Sequence, residues 1–103
     1  MRYDLIITER AEALLDNAIC YILYKLKNKQ AAKHFLDSIE QIYERLQENP
    51  FQFPESKDVY LSYKEYREAV FPDMKYIIIY KVEDGKVFVL GIFHQSELYA
   101  TKV

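Results

Sequence analysis

Residues 75–94, "KYIIIYKVEDGKVFVLGIFH", decide how this chain folds. Two runs rich in β-branched and aromatic residues, 75–82 and 87–93, flank "EDGK" at 83–86. Asp84-Gly85 is a preferred pair for a tight hairpin turn, because both central residues of such a turn need a positive φ. The two runs are therefore predicted as antiparallel neighbours. Upstream, "YREAVF" (66–71) alternates, with Tyr66, Glu68 and Val70 on one side and Arg67, Ala69 and Phe71 on the other. Pro72-Asp73 predicts a second hairpin between it and residue 75.

Working further outward, the helices appear. In 30–49 the residues Ala32, Phe35, Leu36, Ile39, Ile42, Tyr43 and Leu46 recur at steps of three and four, and Lys33, Asp37, Glu40, Glu44 and Gln47 supply a solvated face. Pro50 ends that pattern. From Glu9 to about Lys27, Ala11, Leu14, Leu15, Ala18, Ile22 and Leu26 predict an earlier helix, with Thr8 as its N-cap and "KNK" (27–29) as the break before the next. "RYDLII" (2–7) reads as a short strand. The segment 50–65 has two prolines and no sustained period, and loops of that length tend to be functional or mobile. The predicted fold is α+β, ordered β-α-α-β-β-β: a helical hairpin on one face of a mostly antiparallel four-stranded sheet. Residues 1–103 are expected to form a single domain, since a chain of 103 residues suits one core.

Composition narrows function mainly by exclusion. Net charge is −2, spread evenly over the two halves, and no basic block or stripe stands out as a nucleic-acid footprint. No apolar stretch approaches the roughly 20 residues that cross a bilayer, and no signal-peptide pattern opens the chain. A lone Cys20 makes no internal disulfide, so a cytoplasmic protein without membrane contact is expected. No spacing of His, Cys, Asp and Glu predicts a metal, no glycine-rich phosphate loop is possible with Gly85 and Gly91 alone, and no cofactor is expected. Cys20 has no base nearby in sequence and reads as non-catalytic.

The element order, Arg67 in the first strand of the meander, the "KYIIIY" strand and the ending "VLGIFH" together resemble the RelE/ParE superfamily of type II toxin–antitoxin modules. The stretch "YREAVFPDMKYIIIYKVEDGKVFVLGIFHQS" is most similar to branches described as plasmid-stabilisation or ParE-like toxins. The resemblance implies a toxin neutralised by the C-terminal segment of a cognate antitoxin, in a toxin–antitoxin hetero-oligomer. RelE-like members are ribosome-dependent endoribonucleases, whereas ParE-like members poison DNA gyrase by binding it.

Residues choose between these. Cleavage by a 2′-hydroxyl requires a base, cations facing the phosphorane, and an acid for the leaving oxygen. Arg67 stands where one such cation is implied, and His94 with Tyr99 supplies candidate acid or base groups. Ala69 and Ile77 stand where active relatives carry basic residues, and "HQSE" puts Glu97 where an arginine is usual. Losing one stabilising donor costs about 3–4 kcal/mol of barrier, so a binder is the expected mode. A RelE-like ribosome-dependent nuclease using Arg67, His94 and Tyr99, and a degenerate member retaining only antitoxin binding, are the alternatives. His94 also fits a strand-end cap of backbone groups, Arg67 an ion pair with a strand carboxylate, and Tyr99 simple packing.

On the first helix the polar face of Glu9, Glu12 and Asp16 runs into Cys20 and Tyr24, bordered by Ile19 and Leu23. A helix that is apolar nearly all round is expected to be buried on more than one side. An antitoxin segment or another subunit is one candidate cover; Phe51 and Phe53 from the 50–65 loop are the other.

Overall fold

Asp84 and Gly85 both adopt positive φ, 51° and 74°, and join β3 (Tyr76–Glu83) to β4 (Lys86–His94) as the hairpin sequence requires. The structure is a computed structural model, and it describes residues 2–103. β2 (Arg67–Val70) pairs antiparallel with β3, placing Arg67 opposite Tyr80. β1 (Asp4–Ile7) pairs parallel with β4, so the sheet order is β1-β4-β3-β2. Thr8 locks that parallel edge: its backbone N–H and its hydroxyl both donate to the Val89 carbonyl, while Oγ1 accepts from Ala11 N–H. The same threonine thus ends β1 and caps the helix that follows.

Helix α1 (Glu9–Cys20) widens into a π turn over Tyr21–Lys25, marked by Leu26 N–H donating to the Tyr21 carbonyl. Lys27 then takes a left-handed φ of 51°, and Asn28 N–H reaches back to the Ile22 carbonyl. That is a Schellman-type stop. Asn28 at once caps α2 (Lys29–Glu48) by accepting from Ala31 N–H, so two helices turn about on very few residues.

The helical hairpin covers one sheet face. Ala11 from α1, Ile22 from the π turn, and Ala32, Phe35, Ile39, Ile42 and Leu46 from α2 pack on Ile78, Tyr80, Val87, Val89 and Ile92. Leu36, read above as part of the buried stripe, is 40% exposed, and Ser38 is buried instead. A second, smaller core lies on the opposite face, where Leu61 of α3 (Val59–Tyr63) meets Ile77, Ile79 and Phe93.

The segment 50–65 is more ordered than its sequence implied. It forms a 3-10 turn at Pro50–Gln52 and then runs beside the outer edge of β2. Glu68 N–H donates to the Pro54 carbonyl and Ser56 N–H to the Tyr66 carbonyl, which closes an edge otherwise open to foreign strands. The Glu68 carboxylate, 2% exposed, accepts from Lys57 N–H at 2.6 Å.

Candidate functional site

β4 carries one residue more than β3 needs. Ile79 faces Gly91 while Tyr80 faces Val89, leaving Leu90 as a bulge. Side chains alternate along a strand, so one extra residue exchanges the faces beyond it. Val87 and Val89 point to the helices, and past the bulge Ile92 does so as well. Phe93 turns to the other face. A side chain at Gly91 would force the buried Phe93 ring to move, since its Cβ would clash with that ring and meet Leu14 at 3.4 Å.

The shift brings His94 to the end of an aromatic row. Phe35 stacks on Phe71 at 5.3 Å and meets Tyr76 edge-on at 4.8 Å, and Tyr76 meets His94 edge-on at 5.2 Å. His94 borders an open cleft of about 490 Å³ between α1 and the strand ends, lined by Leu14, Asn17, Tyr21, Tyr76, Ile92 and Glu97 among others.

The polar turn after β4 fixes that histidine. Ser96 N–H donates to His94 Nδ1 at 3.2 Å, and Ser96 Oγ lies 2.7 Å from the same nitrogen. A backbone N–H can only donate, so Nδ1 is the accepting nitrogen in this turn and Nε2 the one left to carry a proton. Glu97 accepts from His94 N–H at 2.9 Å and from Lys102 Nζ at 2.8 Å. Those two bonds, with the Lys102 bond the larger, hold its carboxyl below the usual carboxylate range. Burial, with smaller effects of Tyr21 and Glu97, raises the Tyr76 phenol. The cleft therefore presents aromatic walls, an imidazole held by its Nδ1, and the carboxylate of the Glu97–Lys102 pair.

The other sequence-derived candidates lie elsewhere. Arg67 sits opposite Tyr80 on β2, whereas His94 sits opposite Tyr76 on β4. That separation is about 13 Å along the sheet and about 10 Å across it. The Arg67 guanidinium donates to the Phe53 carbonyl at 2.6 Å and lies over the Phe51 ring at 5.0 Å. Tyr99 stacks on Phe93 at 6.0 Å within the core of the opposite face. Burial first, and then the charges of Glu68 and Asp58, raise its phenol. The three side chains proposed for cleavage are not gathered round one point.

The helix-one surface departs from the expected burial. Ile19 and Leu23 pack partly into the main core, but Cys20 is exposed and Tyr24 is 74% exposed. The loop does not lie over them: Phe51 packs on Tyr3 and Arg67, and Phe53 on Tyr80 and Arg45. Within the π turn Ile22 is the buried residue, while Tyr21, Tyr24 and Lys25 are exposed. His34 pairs with Asp73 at 2.7 Å, tying α2 to the β2–β3 turn. Tyr21, Tyr76 and Asn17 escaped sequence reasoning as cleft residues, because a chain with ten tyrosines gives none of them a distinctive signal. Among the described residues no cluster of three or more His, Cys, Asp or Glu is placed to hold a metal ion.

Comparison with known proteins bears on this geometry. The family described as ParE toxin of type II toxin-antitoxin system, parDE, matches residues 5–99. The chain belongs to the ParE toxin family. A solved structure described as a chromosomal ParDE TA system from P. aeruginosa is similar in fold, with TM-score 0.73 and 18% identity over 90% of this chain and 96% of that one. A conserved hypothetical protein from Helicobacter pylori, solved in solution, has TM-score 0.59 and 20% identity, covering 93% and 98% of the two chains. No curated protein sequence matches significantly. The ParE fold here has three helices on a four-stranded mixed sheet, as the sequence pattern predicted in outline.

Proposed function

We propose that this ParE family member acts by binding a cellular protein, with DNA gyrase the target that the family resemblance implies, and that a cognate antitoxin segment neutralises it. The observation that carries the reading is the scatter of Arg67, His94 and Tyr99. Arg67 is engaged by the Phe53 carbonyl, and Tyr99 is stacked on the far face. Of the three, His94 alone lines the cleft, whose charged neighbour is the Glu97 carboxylate paired with Lys102 rather than a cation free to face a phosphorane. The cleft, with the half-exposed Tyr21 in its wall, suits a partner's side chains better than a phosphodiester. The chromosomal ParDE system from P. aeruginosa supports the pairing with an antitoxin, through likeness of fold.

Inducible expression of the chain, alone and with a candidate antitoxin from the adjacent reading frame, tests this. Growth arrest with a DNA-damage response, relieved by the antitoxin, is expected. Ribosome-linked mRNA cuts would favour the nuclease, and absence of any growth defect would favour a member that retains antitoxin binding alone. Tyr24→Glu is expected to reduce antitoxin co-purification; unchanged recovery would remove Ile19, Cys20, Leu23 and Tyr24 as the docking residues.

A further inference from the structure

The even charge of the two halves conceals a local asymmetry. Residues 17–36 contain Lys25, Lys27, Lys29 and Lys33 and no Asp or Glu, while the rest of the chain has ten Lys and Arg against 16 Asp and Glu. The fold places these four lysines at the turn of the helical hairpin, and all four are exposed. None of them takes part in an ion pair among the described residues. Beside them in the chain stand large apolar side chains that the core does not use: Tyr21 is 51% exposed, Tyr24 74% and Leu26 55%. Tyr21 also lines the cleft that ends at His94, so the lysine-bearing tip and the cleft share a wall.

From this juxtaposition we infer that the hairpin tip is a docking surface for an acidic protein segment carrying apolar side chains, one of which enters the cleft between Tyr21 and Tyr76. The inference rests on the reading of the chain as a binder and adds the chemistry of what it binds. Free lysines around exposed tyrosines reproduce the common anatomy of a protein interface, with an aromatic centre and a charged rim. The positive rim in an otherwise acidic molecule selects the sign of the partner and speeds its approach. Nucleic acid fits less well. Three large exposed apolar groups lie beside the lysines, and they suit a partner's apolar side chains better than a phosphate backbone.

The purified full chain can be titrated, at one ionic strength, with three probes. These are a synthetic amphipathic peptide bearing Glu on one face and Leu on the other, the same peptide with Gln for Glu, and a random-sequence DNA duplex. The Glu peptide is expected to bind at least about tenfold more tightly than the Gln peptide, because charge complementarity carries the discrimination. It is also expected to bind more tightly than the duplex. Lys25→Glu combined with Lys29→Glu should weaken the Glu peptide by about tenfold or more with an unchanged circular dichroism spectrum. The same reversal at Lys57 and Lys86, away from the tip and the cleft, should change it little. Tyr21→Ala should weaken binding of the Glu peptide at high and low salt alike. Failure of the Glu peptide to bind, equal binding of the Gln peptide, indifference to the tip reversal, or tighter binding of the duplex would each overturn the inference. Toxicity on induction is read separately, so a toxic chain that fails the titration sinks the docking surface and leaves the binder reading standing.

Discussion

The two faces of the sheet are held by different physics. On the helical side, residues from α1, the π turn, α2 and strands β2, β3 and β4 interdigitate in one apolar cluster around Phe35, Tyr80 and Ile92. On the opposite side only Leu61, Ile77, Ile79 and Phe93 are fully buried in the apolar cluster, and the cover is fastened by polar bonds from Glu68, Ser56 and the β2 backbone. The first face tolerates little change in volume, since close-packed side chains have few voids to absorb it. The second depends on a few oriented hydrogen bonds, whose loss frees a segment without necessarily unfolding the domain. Apolar periodicity builds the scaffold, and polar contacts decide where the connecting segments lie.

Substitutions on each face should break or sharpen that contrast. The largest effect is expected from Phe35→Ala, which removes a ring packed on Phe71 and Tyr76 at the helix–sheet interface. Burial of that kind costs about 3–5 kcal/mol when truncated to alanine. Denaturant unfolding should show the whole domain weakened, and a loss confined to α2 would contradict a single cooperative core.

Glu68→Ala comes next. It leaves the Lys57 N–H without its carboxylate acceptor, a loss of about 1–3 kcal/mol. Limited proteolysis should then cut faster within 54–66 while the helices stay protected; wild-type cutting rates would show that the carboxylate does not hold the segment.

The smallest effect, of opposite sign, is expected at Tyr43. Its hydroxyl is buried with no hydrogen-bond partner, and burial, helped by Glu12, pushes the phenol up to about 12 from an ordinary 10.0. Tyr43→Phe should leave neutral-pH stability unchanged or raised by up to about 1 kcal/mol, because an unpaired polar atom is removed. The sign in alkali is fixed by the same shift. Unfolded chains release this proton near pH 10 and folded ones only near 12, so stability present below pH 10 falls across that window. The variant should lose less stability there, and an unchanged alkaline slope would assign the effect to Tyr80 or Tyr76 instead.

The contrast also marks what could be read in the sequence. The stripes from Ala11 to Leu26 and from Ala32 to Leu46 and the Asp84-Gly85 turn are short-range signals, and both helices and the β3–β4 hairpin follow from them. The alternation of β2 was legible too, with Ala69 and Phe71 on the helical face. The bulge at Leu90 was not, because Gly91 alone does not announce an extra residue; it depends on the register against Ile79. Glu68 reads as a solvent-facing residue in an alternating strand, and only the returning 54–58 segment buries it. The same limit applies to the site. His94 was visible as a polar residue at a strand end, but its distance from Arg67 and Tyr99 is a property of strand order and bulge, neither of which is local.

The measurement closest to the central claim is a map of mRNA 5′ ends after brief induction of the chain, beside induction of Tyr99→Phe. That variant removes the hydroxyl and keeps the ring stacked on Phe93. Growth arrest by both chains, with no new ribosome-dependent ends from either, is the predicted result. New ends that appear with the native chain and vanish with Tyr99→Phe would contradict it.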